Sequence, residues 1–150
     1  MRRREARAAA LRALYAIEVG KNELEAALRA AFVEERTDSE GMAFARSLAA
    51  GVLEHQDEID RRIGSLSHDW SLERLAAVDR NTLRLGAYEL LYRQDEAPVG
   101  VVINEAVELA KSYSTPDSGR FVNGILGALA RQLGSGGSAP ALPPEGGSQL

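Results

Sequence analysis

The amino-acid sequence predicts an all-α protein built as a single globular domain. Alanine and leucine, which favour helices, are abundant, and apolar residues recur three and four positions apart along most of the chain. No segment alternates between apolar and polar residues in the way that a half-buried strand does. The chain has 150 residues, 45% of them hydrophobic, which is enough to bury a substantial core.

The first two helices are predicted to meet at a short turn. We expect the first helix over residues 2–19, with Gly20 ending it in the left-handed conformation that glycine adopts easily. Asn22 is suited to cap the second helix, and Glu25 follows three residues later, as in a capping box. The core-facing side of the second helix would consist of Leu24, Ala27, Leu28, Ala31 and Phe32.

The middle of the chain is predicted to hold three more helices. The third begins near Asp38 or Ser39, and a shorter fourth helix follows it. Ser71 is suited to cap the next element, which continues into a long apolar helix that ends near Arg93. The predicted core positions of this region are Phe44, Leu48, Val52, Ile59, Ile63, Leu66, Leu72, Leu75 and Val78.

Two further helices are predicted over residues 101–113 and 117–133. Pro116 is expected to stop the first of them, because the residue before a proline is disfavoured in a helix. Asp117 or Ser118 would then cap the second.

The composition changes abruptly after residue 133. Eleven of the seventeen residues in 134–150 are Gly, Ser or Pro. Such a segment buries too little apolar surface to offset the entropy lost on ordering. We therefore expect a domain of residues 1–133 followed by a disordered tail, 134–150.

The composition also argues against several kinds of function. Cysteine is absent and there are two histidines, so neither a disulfide nor a metal site is predicted. The chain lacks a phosphate-loop lysine and a nucleophile elbow, so we predict no catalytic residues and no cofactor. No apolar run approaches the roughly 18 to 20 residues of a membrane span, and a cytoplasmic protein without a membrane partner is expected.

The acidic residues Asp57, Glu58 and Asp60 are interpreted as a solvated helix face.

Charge is distributed unevenly along the chain. The formal net charge is −4, yet residues 1–12 contain five arginines and one glutamate. Residues 23–60 contain ten acidic residues against three arginines. The basic end suits an anionic ligand, whereas the acidic remainder suits a basic protein partner.

The N-terminal arginines predict a contact with phosphates. Arg3 and Arg7 lie four residues apart, and Arg4 and Arg7 three apart, so a helix would place their guanidinium groups along one side. Each guanidinium can donate two parallel hydrogen bonds to one phosphate. The alternative is a solvated, frayed terminus.

A second candidate binding element begins the last helix. Phe121 follows a first turn that starts at Asp117, where exposed backbone amides can bind an oxygen and a flat ring can stack on a base. The alternative is that Phe121 and Val122 belong to the core and that Asp117 is only a cap.

Several sequence blocks carry a family resemblance. They are residues 78–93, residues 102–111, residues 117–127 and the motif Arg12-Ala13-Leu14-Tyr15. In this order and spacing they resemble the NusB family of transcription antitermination factors. The resemblance covers nearly all of residues 2–133.

The resemblance implies a fold of two three-helix sub-bundles packed into one body, without enzymatic activity. It also implies that the protein forms a heterodimer with the small ribosomal protein NusE. Together the two would bind BoxA-type single-stranded RNA in nascent ribosomal RNA leader transcripts. This would keep elongating RNA polymerase resistant to termination, with the protein's link to the polymerase being indirect.

The motifs also assign roles to individual residues. By resemblance, the RNA-binding residues are Arg3, Arg4, Arg7, Asp117 and Phe121. The residues that would face NusE are Tyr15 and Asp79. Tyr15 could equally pack at the half-buried edge of the core.

Three positions depart from the family pattern. Glu5 stands where a basic residue is common, Gly100 where many relatives carry lysine, and Pro116 in an altered turn. Two alternative functions stay open. One is an RNA-binding module related to the N-terminal domain of ribosomal RNA cytosine methyltransferases, although the cysteines of such an enzyme are absent. The other is a helical homodimeric scaffold that binds no RNA.

Overall fold

The computed structural model describes residues 2–67 and 71–134. In chain order the helices are α1 (Arg3–Gly20), α2 (Leu24–Glu35), α3 (Ser39–Glu54), α4 (Gln56–Leu66), α5 (Ala77–Tyr92), α6 (Val99–Tyr113) and α7 (Pro116–Gly134). A 3-10 turn, Leu72–Arg74, precedes α5. The described residues contain no strand, so the all-α prediction is confirmed. The predicted tail lies outside the described residues, except for Gly134, which ends α7.

The helices form two three-helix sub-bundles, as the resemblance implied. α1 packs against α2 and α3, while α5, α6 and α7 pack against one another. α5 also contacts α1 and α3, and α4 lies against both α5 and α7. The centre of the molecule is therefore α5, whose residues 81–90 are all buried. A helix that is enclosed on every side needs apolar or paired residues all round, and α5 has them.

Two glycines allow close approach between helices. A Cβ at Gly86 would collide with Leu126 of α7, so α5 and α7 can cross closely only because Gly86 has no side chain. A Cβ at Gly51 of α3 would collide with the ring of Tyr88. Glycine at these positions brings both α3 and α7 close to α5.

The turn between α1 and α2 differs from the prediction. Gly20 stays helical, and Lys21 takes the left-handed conformation with φ 59° while its N–H bonds to the carbonyl of Ala16. Glu23, rather than Asn22, stands at the cap position of α2, and its side chain makes no capping bond. The helix simply runs one residue further than the glycine suggested. Lysine in this conformation lacks the steric freedom of glycine.

The starts of the later helices show which polar residues act as caps. The prediction for α3 is confirmed, because an Asp38 side-chain oxygen accepts a 2.7 Å hydrogen bond from the Gly41 N–H. At α7 the prediction is wrong: Pro116 is the first helical residue, and Thr115 Oγ1 accepts from the Ser118 N–H at 3.2 Å. Proline is well suited to the first helical position, where its missing N–H costs nothing.

The segment before α5 is held by an arginine instead of a serine cap. Ser71 precedes the 3-10 turn, but its side chain makes no capping bond. Arg80 Nη1 instead donates to the carbonyls of Leu72 and Leu75, at 3.0 and 2.7 Å. The chain is extended at Leu75 and Ala76, so the predicted continuous helix is broken before Ala77.

Among the described residues, no helix is both long enough and apolar enough to cross a membrane.

Candidate nucleic-acid interface

The N-terminal arginines divide into an exposed group and a buried one. Arg2, Arg3 and Arg4 are exposed, whereas Arg7 is 4% exposed. Arg7 therefore does not share the exposed surface of Arg3 and Arg4. The exposed group can reach an external anion directly, and Arg7 faces the interior.

Arg7 forms a buried ion pair with Glu89 of α5. Its Nε and Nη2 each donate to one oxygen of the Glu89 carboxylate at 2.8 Å. Burial opposes the charged form of Arg7, but the hydrogen bonds and the charge of Glu89 outweigh it and raise the pKa of Arg7. Two nitrogens of the guanidinium fix α1 to α5, and the role of Arg7 as an RNA contact stays a prediction.

Arg4 is paired as well, but at the surface. Its Nε and Nη2 donate to the two oxygens of Glu105 on α6 at 3.0 and 2.9 Å. The hydrogen bonds from Arg4 lower the pKa of Glu105. The Arg4 side chain is 62% exposed, whereas that of Glu105 is 16% exposed, so the pair is open to solvent on the arginine side. A phosphate can therefore compete with Glu105 for Arg4.

The ring of Phe44 on α3 contacts three arginines at the basic end of the molecule, and the sequence alone did not predict this. Its buried ring has the guanidinium carbon of Arg3 4.4 Å from its centroid, and those of Arg7 and Arg93 each 5.7 Å away. Arg93 is also bonded to both oxygens of Glu96, at 2.7 and 2.8 Å, which raises its pKa. Cations over a ring face are attracted by the quadrupole of the ring.

Arg3 is the arginine of this group that stays available. Within residues 2–67 and 71–134 it has no ion pair, whereas Arg4, Arg7 and Arg93 each have one. Phe44 holds its guanidinium without neutralising its charge. This is the arrangement that a phosphate-binding side chain needs.

The first turn of α7 is the second predicted RNA-facing element. The Asp117 side chain is exposed and forms an ion pair with Arg120. Phe121 packs against the core but stays partly accessible, whereas Val122 is fully buried. The core interpretation is therefore correct for Val122, and Phe121 keeps part of its ring at the surface.

The two groups predicted to face RNA lie near opposite ends of α5. Arg7 reaches Glu89 near the end of this helix, whereas Ser118, beside Asp117, donates to Asp79 Oδ2 near its start at 3.1 Å. Ten residues of helix between Asp79 and Glu89 span about 15 Å. A single nucleotide cannot contact both groups, but a strand of several nucleotides can.

The two residues assigned to a protein partner lie near a charged contact between α1 and α5. Glu18 accepts from Arg80, and Asn81 Nδ2 donates to Glu18 at 2.9 Å. Tyr15 lies one turn before Glu18 on α1, and Asp79 is adjacent to Arg80. Tyr15 is 41% exposed.

An exposed valine extends this surface. Val19 lies one turn after Tyr15 on α1 and is 52% exposed, so the two form an apolar strip that sequence reasoning did not single out. The spacing of four residues on a helix was the available signal. Asp79 Oδ1 is buried and has no hydrogen-bond partner among the described residues.

The acidic cluster on α4 is not simply a solvated face. Both oxygens of Asp60 accept from Arg84 of α5, at 2.8 and 2.9 Å. Arg84 is buried and also donates to Glu18 at 3.2 Å. The interpretation was wrong for Asp60 because its partner lies 24 residues away in the sequence.

Comparison with known proteins gives consistent matches. The NusB family model matches residues 4–131. The transcription antitermination protein NusB of Desulforamulus reducens is 49% identical over 129 residues, which is 86% of this chain and 90% of that protein. The structure of T. maritima NusB is 37% identical and superposes with a TM-score of 0.80, covering 100% of this chain and 99% of that one.

A solved complex is also similar. The crystal structure of the antitermination factors NusB and NusE in complex with dsRNA contains a chain that is 30% identical, with a TM-score of 0.78. The match covers 86% of this chain and 96% of that one.

Proposed function

This chain belongs to the NusB family, and on that premise we propose that it is a transcription antitermination factor acting on nascent ribosomal RNA leader transcripts. It binds BoxA-type RNA as a heterodimer with the small ribosomal protein NusE and promotes processive elongation. It is not an enzyme. Because its RNA target is made during transcription, we place its action in the cytoplasm.

The observation that carries the proposal is the free guanidinium of Arg3. It lies over the ring of Phe44 at 4.4 Å, and no acidic side chain of the described residues pairs with it. Arg2 and Arg4 flank it along the chain and are exposed. Phosphate oxygens are the natural ligands of such a group, because guanidinium groups bind them through paired, charge-assisted hydrogen bonds.

Arg4 and Arg7 support the contact in different ways. The exposed Arg4 guanidinium exchanges the Glu105 carboxylate for a phosphate when RNA arrives. Arg7 keeps the start of α1 fixed against α5 through Glu89. We propose that Arg7 is a positioning residue for Arg3 and Arg4.

The start of α7 supplies the second contact with RNA. The accessible part of Phe121 stacks on an unpaired base, a common mode of single-stranded RNA recognition. Asp117 is exposed beside it and accepts hydrogen bonds from the base edge or sugar. The separation of about 15 Å along α5 means that this contact and the Arg3 contact engage different nucleotides.

NusE is proposed to bind the opposite side of α1 from the buried face. Tyr15 and Val19 offer exposed apolar surface. Asp79, at the start of α5, precedes Arg80, which binds Glu18 of α1. The acidic charge of residues 23–60 favours a basic partner.

The test is a titration of BoxA-type RNA against a scrambled RNA, with and without NusE, at several salt concentrations. We expect weak, salt-sensitive binding by the chain alone and tighter, sequence-selective binding with NusE. Replacing Arg3 by Ala should reduce the log-log salt slope by about 0.7, the value for one phosphate contact on a single strand. If Arg3→Ala left both the affinity and the slope unchanged with NusE present, the proposed contact would be wrong.

A further inference from the structure

A stacked pair of rings is exposed where α3, α4 and α5 meet. His55, which links α3 to α4, and Tyr92, the last residue of α5, have ring centroids 4.0 Å apart and planes inclined by 19°. Tyr92 is 39% exposed, and the His55 side chain is 35% exposed. Neither ring belongs to the hydrophobic core.

The stacked pair is connected to other aromatic rings and guanidinium groups through a series of contacts. Tyr88 lies 5.5 Å from Tyr92 between ring centroids, and the Arg93 guanidinium carbon lies 5.9 Å from the Tyr88 centroid. Arg93 and Arg3 both lie over Phe44, so these contacts connect the pair to the proposed phosphate contact. We name this connected set the ring track. It consists of His55, Tyr92, Tyr88, Arg93, Phe44 and Arg3.

Packing against α3 fixes the position of the ring track. The ring of Tyr88 occupies the space that a side chain at Gly51 would fill, so Tyr88 is pinned against α3. Tyr92 follows one helical turn later and stacks on both Tyr88 and His55. A ring whose neighbours fix its position loses little conformational freedom on binding a ligand.

The charges beside the ring track favour a base over a second phosphate at this end. Glu54 lies 4.0 Å from His55 Nε2, and Glu96 is bonded to Arg93. These carboxylates offset the positive charge of Arg93, whereas Arg3, on which Glu96 also acts electrostatically, forms no ion pair among the described residues. A base stacks on an exposed aromatic ring without needing a net charge there, and every RNA base has a flat face that can stack in this way.

We propose that Tyr92 and His55 form a stacking site for an unpaired RNA base adjacent to the segment held by Arg3. The inference rests on the proposed function, because it extends the RNA path from the N-terminus of α1 across the end of α5. The ligand is single-stranded RNA, with its phosphate at Arg3 and a neighbouring base on the exposed ring pair. This site extends the RNA contact at the C-terminal end of α5, opposite the end that lies near Phe121.

The experiment measures the affinity of the complex with NusE for a BoxA-type RNA extended by six unpaired nucleotides at each end. We expect Tyr92→Ala to lose about 5- to 150-fold in affinity, the range found when a base loses its aromatic partner. Tyr92→Phe keeps the ring and should bind within twofold of the unchanged chain. Val33→Ala is the matched control, because Val33 is 77% exposed on α2, away from the ring track.

A second measurement guards against a variant that fails to fold. The extended RNA, carrying photoreactive 4-thiouridine, is crosslinked to the unchanged chain, and the crosslinked residues are mapped. Crosslinks at residues 55 or 92 would support the site even if Tyr92→Ala unfolds. Their absence would overturn it, as would an affinity of folded Tyr92→Ala within twofold of the unchanged chain.

The outcomes of these measurements also distinguish this inference from the proposed function on which it rests. If the unchanged chain with NusE bound no RNA, the proposed function itself would fail. If it bound RNA and Arg3→Ala weakened binding while folded Tyr92→Ala did not, only the stacking site would fail.

Discussion

Arg7 of α1 and Glu89 of α5 form a buried ion pair with two hydrogen bonds of 2.8 Å, and this pair fixes the basic end of the molecule to its central helix. Both side chains are almost completely enclosed. A charge in such a place is tolerated only while its partner is present.

We therefore expect Arg7→Met to destabilise the fold by about 3–5 kcal/mol, because Glu89 would be left buried and unpaired. Urea unfolding monitored by circular dichroism measures the change. Replacing Glu89 by Leu in the same chain should recover much of the loss. Arg46→Met is the control, since its pair with Glu25 is exposed, and it should leave stability unchanged. Unchanged stability of Arg7→Met with a large loss of RNA affinity would instead make Arg7 a direct contact.

A second prediction concerns Glu5, the acidic residue among the N-terminal arginines. Glu5 lies 3.9 Å from Arg2 and lowers the local positive charge. Glu5→Arg should tighten RNA binding and steepen its salt dependence by up to about 0.7 in the log-log slope. Glu34→Arg makes the same charge change on the exposed surface of α2 and should have a much smaller effect. Equal effects of both variants would point to overall charge rather than to a local contact.

A third prediction tests the partner surface. Val19→Asp places a charge in the exposed strip formed by Tyr15 and Val19, and burying that charge against NusE would be unfavourable. We expect at least a tenfold weaker affinity for NusE by calorimetry, with the melting temperature unchanged. Val33→Asp, the same change at another exposed valine, should bind NusE normally. A normal affinity for Val19→Asp would place the NusE surface elsewhere.

A fourth prediction follows from Glu18. Burial raises its pKa, but hydrogen bonds from Arg80 and Asn81 outweigh burial and hold the pKa below its ordinary value of 4.5. A carboxyl whose pKa is lower in the folded state stabilises the fold above its unfolded pKa, and this contribution is lost as the pH falls through the folded pKa. The free energy of unfolding should therefore decrease as the pH falls below about 4.5.

The matched variant for this experiment is Glu18→Gln. It should be less stable than the unchanged chain at pH 7, and the difference should shrink as the pH is lowered to 3. Urea unfolding at a series of pH values provides the measurement. A difference that stayed constant with pH would mean that the ionisation of Glu18 does not contribute.

Helix positions were predictable because they depend on local spacing of apolar residues. The start of α3 after Asp38 and the two sub-bundles followed from such spacing, from the capping residue or from the resemblance. Helix ends were less predictable, since Lys21 and Thr115 take roles that glycine and aspartate were expected to take. Helix ends fray, so a boundary is defined only to within one or two residues.

The candidate site was predictable only in part, for a different reason. The sequence places Arg3, Arg4 and Arg7 on one helix, but it does not show that Glu89, 82 residues away, removes Arg7 from the surface. The same holds for Phe44, which supports Arg3 from another helix. Contacts between distant segments depend on packing, and no local pattern encodes them.

The enclosure of residues 81–90 of α5 by both sub-bundles bears on how the protein opens. If either sub-bundle detached, one side of this segment would meet water, so neither half is a separate folding unit. The two halves should melt in one transition, and the backbone amides of α5 should exchange with deuterium only when the whole domain opens. The surfaces proposed to bind RNA and NusE are thus connected through α5, a helix that both sub-bundles share and whose amides should exchange slowly.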